Sequence, residues 1–92
     1  MKYEWDENKN ALNKVRHRIG FEAMEGFEWD TAVTDIDDSA DYGEIREVAI
    51  GFIGDKLHFA VYVMIADDCV RAISLRPATI REKRRYVDEQ EG

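Results

Sequence analysis

Two long runs of alternating apolar residues, separated by a short turn, restrict the fold of this chain more than any other feature of its sequence. The runs are Arg46–Ile53 and Leu57–Ile65, and Gly54-Asp55-Lys56 lies between them. A period of two is that of a strand, because successive side chains of a strand point to opposite faces. Turn residues between two such runs are typical of a hairpin. The centre of the chain is therefore predicted to form antiparallel strands.

Three other segments bear on the extent of this sheet. Thr31–Ile36 and Cys69–Leu75 have the composition of strands, and Lys2–Trp5 alternates enough for a short edge strand. Asp37–Gly43 is typical of a polar loop, and Ala66-Asp67-Asp68 of a turn. Because strands joined by hairpins pair antiparallel, we expect an antiparallel sheet of three to four strands.

The apolar spacing becomes helical before the sheet. A first helix is predicted from the cap Asp6 to about Arg18, and Gly20 is expected to break it. A second, shorter helix is predicted over Phe21–Phe27. The residues at helical spacing that we expect to face the core are Leu12, Val15 and Ile19 in the first helix and Phe21, Met24 and Phe27 in the second.

A C-terminal helix follows the last strand and has two candidate starts. Pro77 suits a first helical position, and the run Thr79-Ile80-Arg81-Glu82 fits a capping box equally well. Ile80, Arg84 and Val87 would share one face, so Arg84 is expected to border the core. The prediction is one α+β domain over residues 1–92, with two N-terminal helices and one C-terminal helix packed on one face of the sheet.

Composition bears on the cellular compartment. The single Cys69 cannot form an internal disulfide. No window reaches the roughly 18 apolar residues that a membrane span needs, and no apolar signal core follows Met1–Asp6. We expect a cytoplasmic protein that makes no contact with membranes.

The charge of the chain is unevenly distributed. The net charge is −7, which is unusual for a protein that binds nucleic acid. Residues 71–86 carry six basic side chains against one acid, a balance of +5, whereas residues 22–47 carry ten acids against Arg46. The basic segment can attract a polyanion. The alternative is that both segments are ordinary solvated faces.

Arginines of the last strand are the most informative candidates for a site. Strand alternation predicts Arg71 and Ile73 on one face and Ser74 and Arg76 on the other. On an open sheet face, arginines could bind phosphate through their forked donors, and Arg46 could add to them. The alternative is that they pair with nearby acids such as Glu44, Glu47 and Glu82. By contrast, His17, His58 and Cys69 lack the paired spacing of metal ligands, so we expect no metal and no other cofactor.

A set of residues spread over almost the whole chain is specific in its order and spacing. The set comprises Trp5-Asp6, Lys9, Asn13, Arg16-His17, Ile19, Phe21-Glu22, Gly43-Glu44, Arg46, Gly51, Arg71-Ala72-Ile73-Ser74-Leu75-Arg76, Ala78-Thr79, Glu82 and Tyr86. In this set the chain resembles the BrnT family, the ribonuclease toxins of bacterial type II toxin–antitoxin pairs.

The resemblance implies a RelE-like fold and cleavage of RNA without a metal. It also implies a BrnA-like antitoxin with a ribbon-helix-helix part, which neutralises the toxin in a hetero-oligomer. The toxin would contact operator DNA only through this antitoxin. The family's basic and polar positions map onto Lys9, His17, Arg46, Arg71 and Arg76. We take His17, Arg76, Arg71 and Arg46 as catalytic candidates, and Lys9, Arg81 and Arg84 as the rest of the basic face.

The chain also departs from the family pattern. Family members commonly carry a Lys-His-Gly step, and here the step is Arg16-His17-Arg18. They commonly carry an arginine soon after the Val-Tyr of the third core strand, where this chain has Val63-Met64-Ile65. The sequence pI of about 4.7 is a further departure. A second function therefore stays open, that of a non-catalytic BrnT-like binding protein that keeps only antitoxin and operon-regulatory interactions.

Overall fold

The computed structural model describes residues 1–38 and 40–92, and it contains a five-stranded sheet in the order β1-β5-β4-β3-β2. The strands are β1 (Lys2–Glu4), β2 (Val33–Asp37), β3 (Arg46–Ile53), β4 (Lys56–Ala66) and β5 (Cys69–Pro77). The helices are α1 (Glu7–His17), α2 (Ile80–Glu91) and two 3₁₀ helices, Phe21–Gly26 and Trp29–Thr31. Ser39, within the loop predicted over Asp37–Gly43, lies outside the described residues.

The sheet is larger than predicted and is not wholly antiparallel. Strands β2 to β5 pair antiparallel in succession, with the predicted turn between β3 and β4. The fifth strand is β1, which pairs in parallel with β5. This corrects the expectation of three to four antiparallel strands. This parallel pairing joins strands that are far apart in the sequence, so no local turn signal could have predicted it.

Helices cover both faces of the sheet, which corrects the expectation that all would lie on one face. The 3₁₀ helix Phe21–Gly26 packs with Ala49, Ala60 and Tyr62 on the first face. Helix α2 packs through Tyr86 against Ile50 on the second face. Phe52 and Phe59, near the turn between β3 and β4, are the partly buried residues that pack against this cluster.

Helix α1 begins as predicted but buries a different face. The Asp6 carboxylate accepts hydrogen bonds from two backbone N–H groups of the first turn, and Arg18 ends the helix in the left-handed region at φ 60°. Leu12 and Val15 are 46% and 80% exposed, so their predicted place in the core was wrong, whereas Ile19 is half-buried and packs against the core as predicted. The residues of α1 that are buried are Asn10 and Asn13. Helix α1 is therefore held by amide hydrogen bonds rather than by an apolar stripe.

The predicted second helix is a 3₁₀ helix in the structure. Its inward residues, Phe21, Met24 and Phe27, recur at intervals of three, which matches the three residues per turn of this helix type. All three are buried in the core. Phe27 approaches Gly51 of β3 so closely that a Cβ atom at Gly51 would lie 2.7 Å from the Phe27 Cζ.

Helix α2 starts at the capping box and not at Pro77, which is the last residue of β5. The residue that α2 buries is Tyr86, whereas Ile80 and Val87 are exposed. Arg84 is exposed as well, so the expectation that it borders the core was wrong. Each helix of the described chain is too short and too polar to span a bilayer.

Candidate functional site

The outer edge of β5 is divided between strand β1 and helix α1. Strand β1 pairs only with the first three residues of β5, Cys69–Arg71. Beyond them, the side-chain amide of Asn13 bonds both backbone groups of Leu75: the Leu75 N–H donates to Asn13 Oδ1 over 3.2 Å, and Asn13 Nδ2 donates to the Leu75 carbonyl over 2.8 Å. Asn13 thus takes the place of a neighbouring strand at this position.

This link fixes the position of α1 along β5, and with it two predicted site residues. Lys9, one turn before Asn13, lines a pocket with Arg71 near the start of β5. His17, one turn after Asn13, lies about 6 Å further along the helix axis in the direction in which β5 runs. It is half-buried. The face predicted from the spacing of Lys9, Asn13 and His17 therefore lies along the boundary between α1 and β5. This boundary is called the seam below.

Arg76 follows Leu75 in β5, and its guanidinium is held on three sides. Its Nη1 and Nη2 atoms each donate to one oxygen of Glu82 over 2.8 Å. Nη1 also donates to the Pro77 carbonyl over 3.2 Å. The Arg76 Cζ lies 4.4 Å from the centroid of the Phe59 ring. The hydrogen bonds to Glu82 raise the pKa of Arg76 against the lowering effect of its burial.

One edge of the Arg76 guanidinium keeps its donors. A guanidinium has five N–H bonds, and the bonds to Glu82 and Pro77 use both protons of Nη1 and one of Nη2. Within the described residues, neither Nε nor the second Nη2 proton has a partner. These two N–H groups form the parallel pair that fits two oxygens of a phosphate. Pairing with Glu82 therefore leaves Arg76 able to bind an anion.

A β-bulge in β5 brings the arginines of this strand to one face. The pairing with β4 shifts by one residue at Ile73, which has no partner of its own on β4. An extra residue of this kind changes the alternation of the side chains beyond it. Arg71, Ser74 and Arg76 consequently share the face on which α2 packs. This corrects the expectation that Arg71 and Arg76 point to opposite faces.

Arg46 and Arg71 lie in one row across the sheet, away from Arg76. Arg71 pairs with Val63 of β4, and the register of β3 places Arg46 on the other side of Val63. Two strand spacings, about 10 Å, separate their backbones. Each has an acid nearby: Arg71 Nε donates to Glu4 Oε1 over 3.1 Å, and Arg46 Nε lies 3.7 Å from Glu44 Oε1.

Arg46 keeps an unused donor despite the carboxylate beside it. Its Nε atom is buried and has no hydrogen-bond partner among the described residues. Its Cζ lies 3.9 Å from the centroid of the Tyr42 ring. The alternative of ion pairing thus holds for each of the three arginines, but only Arg76 is bound through both oxygens of its acid.

The remaining candidates lie apart from this seam. Arg81 and Arg84 are exposed on α2. Met64 and Ile65, which stand where the family pattern has an arginine, are exposed at the end of β4. In the described part of the chain, no group of three or more His, Cys, Asp or Glu side chains is arranged to hold a metal ion.

Two features of the site were missed by sequence reasoning. The first is Asn13, named only as one residue of a polar face, which is 6% exposed and joins α1 to β5. The second is the bidentate geometry by which Glu82 orients Arg76, since Glu82 was offered as one of three acids with which the arginines could pair and was not assigned to Arg76. The capping-box signal located Glu82 correctly, and the six-residue separation from Arg76 gave no sign of the contact.

Comparison with known proteins identifies relatives of this structure. The family model described as the ribonuclease toxin BrnT of type II toxin–antitoxin systems matches residues 5–82. The crystal structure of the Brucella abortus ribonuclease toxin BrnT superposes with a TM-score of 0.64 at 26% sequence identity, covering 86% of this chain and 97% of that one. No match was found among curated proteins. The matched residues include the α1–β5 seam together with Arg76 and Glu82, and the chain belongs to the BrnT family of ribonuclease toxins from type II toxin–antitoxin systems.

Proposed function

We propose that this protein is an endoribonuclease toxin that cleaves cellular RNA without a metal, at the seam between α1 and β5. The observation that carries the proposal is the double hydrogen bond between Asn13 and Leu75. It sets His17 one helical turn beyond Asn13 and Arg76 one residue beyond Leu75. An imidazole, a side chain able to act as a general acid or base, thereby lies on the helix that borders a phosphate-binding arginine.

The proposed reaction uses the neighbouring 2′-hydroxyl of the RNA. Its oxygen bonds to phosphorus as it loses a proton, and the bond from phosphorus to the 5′-oxygen breaks as that oxygen gains one. His17 serves as the acid or the base in this exchange, and solvent water takes or supplies the other proton, so that one proton is lost and one is gained. The Nε–Nη2 edge of Arg76 holds two phosphate oxygens and stabilises the charge that develops on them.

The other basic residues would hold the RNA on either side of the scissile phosphate. Four residues of β4 separate the row of Arg71 from that of Arg76, a distance of about 13 Å. Lys9 and His17 are about 12 Å apart along α1. The two pairs, Lys9 with Arg71 and His17 with Arg76, are thus similarly spaced along one seam. Arg46 lies further across the sheet and would contact a more distant phosphate.

We further propose that a BrnA-like antitoxin with a ribbon-helix-helix part neutralises the toxin by covering this seam. Membership of a toxin–antitoxin family supports a partner of this kind, and occlusion requires that the partner mask Arg76. The complex would be a dimer of heterodimers in the cytoplasm, and it would bind operator DNA through the antitoxin.

Expression with and without the adjacent open reading frame tests the proposal, with growth and RNA integrity as readouts. Cleavage by purified protein should persist with a chelator present. Arg76→Ala should lower its rate by about 10²–10³-fold, the usual cost of removing one charge-stabilising donor. His17→Ala should lower it by about 10²–10⁴-fold, the usual contribution of a general acid or base. Lys83→Ala is the matched control, because Lys83 is exposed on α2 outside the seam.

The second candidate function is a non-catalytic binding protein. This function is favoured by the ion pairs of the three site arginines, because each acid offsets charge that would otherwise attract RNA. The pairs are Arg46 with Glu44, Arg71 with Glu4, and Arg76 with Glu82. Intact RNA after expression of the chain alone, together with formation of a stable complex with the neighbouring gene product, would establish this function and refute the nuclease.

A further inference from the structure

We propose that Glu82 is a positioning residue, which fixes the guanidinium of Arg76 so that its Nε–Nη2 edge faces the scissile phosphate. This inference rests on the proposed function for the identity of the ligand. In the proposed reaction Arg76 binds the phosphate, and the further role assigned here is that of Glu82, which holds Arg76 in place.

The hydrogen bonds of Glu82 are divided between two tasks. Oε1 accepts from the Thr79 backbone N–H over 2.8 Å as part of the capping box and also accepts from Arg76 Nη1. Oε2 accepts from Arg76 Nη2 over 2.8 Å. A helix cap needs only one acceptor oxygen. The second oxygen is thus explained by Arg76 and not by the cap.

The bonds that Glu82 makes select one orientation of the arginine. A guanidinium can offer an anion either its two Nη atoms or its Nε–Nη2 edge. Glu82 occupies the first edge, the Pro77 carbonyl takes the remaining Nη1 proton, and Phe59 covers one face of the plane. The second edge is what remains for a ligand. The pair is only partly accessible, with side chains 29% exposed for Arg76 and 17% for Glu82.

This orientation acts on the transition state more than on substrate affinity. A long arginine side chain loses conformational freedom when it is held in one geometry, and that cost is met in the folded protein before RNA binds. The carboxylate of Glu82, however, repels a nearby phosphate. Removing its charge should therefore not weaken RNA binding but should misalign the donors that act in the reaction.

Glu82→Gln separates positioning from helix capping. Gln also serves in a capping box, but one of its terminal atoms is an NH2 donor, so it cannot accept the two parallel arginine bonds that the two oxygens of Glu82 accept. We expect kcat to fall by about 10–100-fold, the order of loss caused by a misplacement of about 1 Å, while KM does not rise. Thr79→Ala is the matched control, since it removes the hydroxyl that accepts from the Glu82 N–H and spares the Arg76 bonds. It should lower the melting temperature and leave kcat of the folded protein unchanged.

The proposal is overturned if Glu82→Gln keeps the wild-type kcat, or if the two variants lose activity in parallel with their loss of folded protein. A second measurement does not depend on cleavage. Titration of the wild type with inorganic phosphate should shift the NMR signal of the Arg76 Nε–H group. This shift should be smaller in Glu82→Gln, because the Nη1–Nη2 edge freed there competes for the same anion. A wild-type chain that shows this shift and no cleavage would refute the nuclease while supporting the positioning role. An Nε–H signal that is insensitive to phosphate in the wild type would overturn the positioning role itself.

Discussion

Asn13→Ala should be among the most destabilising substitutions in α1, although it removes a polar residue from a helix. Its side chain makes three hydrogen bonds, two to the backbone of Leu75 and one to the Ile19 carbonyl over 2.8 Å. Alanine would leave both buried Leu75 groups without a partner at the edge of β5. The helical propensity of alanine offsets only a few tenths of a kcal/mol of this loss.

The magnitude follows from the groups left unpaired. Each buried polar group without a partner costs about 1–3 kcal/mol. Water can reach the Ile19 carbonyl more readily than the Leu75 groups, so we expect a total of about 2–4 kcal/mol. For a domain of this size, that corresponds to a fall in melting temperature of roughly 10–25 °C. Urea unfolding followed by circular dichroism gives the free energy of unfolding directly.

Asn8→Ala is the control, because Asn8 is an exposed asparagine on the same helix and its loss should cost less than about 0.5 kcal/mol. Asn13→Asp adds a test of the hydrogen-bond pattern. Its carboxylate would face two carbonyl oxygens, which raises the pKa of the new group in the folded state. A raised pKa means that stability is present at low pH and is lost as pH rises through the folded value. An Asn13→Ala variant as stable as Asn8→Ala would refute the role of Asn13 as a substitute strand.

Three further outcomes are expected. Ile65→Arg, which adds a cation at the exposed end of β4, should raise the rate of RNA cleavage at low salt, and an unchanged time course would show that this position lies off the RNA path. Burial opposes ionisation of Glu82, but hydrogen bonds from Arg76 and Thr79 outweigh it and hold its pKa below 4.5. The stabilisation is therefore present above the ordinary pKa of a glutamate and is lost as pH falls through the lowered value, so the difference in unfolding free energy between wild type and Glu82→Gln should shrink as pH falls over that range. A constant difference across urea titrations at successive pH values would contradict the pKa shift. Gly51→Ala would place a Cβ 2.7 Å from Phe27 Cζ and should cost about 1–3 kcal/mol in thermal unfolding, whereas a neutral result would mean that the 3₁₀ helix shifts without cost.

The sequence by itself determined the elements that depend on local spacing. The alternation of Arg46–Ile53 and Leu57–Ile65 defined the central hairpin, because a strand with one buried face repeats every two residues. The capping residue Asp6 located the start of α1, and the capping box at Thr79 was one of two candidate starts for α2, since the bonds these residues make span only two or three residues. The resemblance to BrnT also came from residues in order along the chain.

The sequence misled where polar groups are buried or where a strand changes register. Leu12 and Val15 suggested an apolar stripe, but the free backbone edge of β5 needs hydrogen bonds, and Asn13 rather than a leucine supplies them. The alternation of β5 failed at Ile73, because a single extra residue changes which face the following side chains occupy.

Only the tertiary structure decided the composition of the site. It paired β1 with β5, set α1 along the remaining edge, and held Arg76 with Glu82 across the junction between β5 and α2. These contacts join backbone edges and charged side chains from different elements. Neither hydrophobic periodicity nor the identity of a residue specifies which partner its hydrogen bonds will find, because that choice depends on which donors and acceptors the folded sheet leaves unpaired.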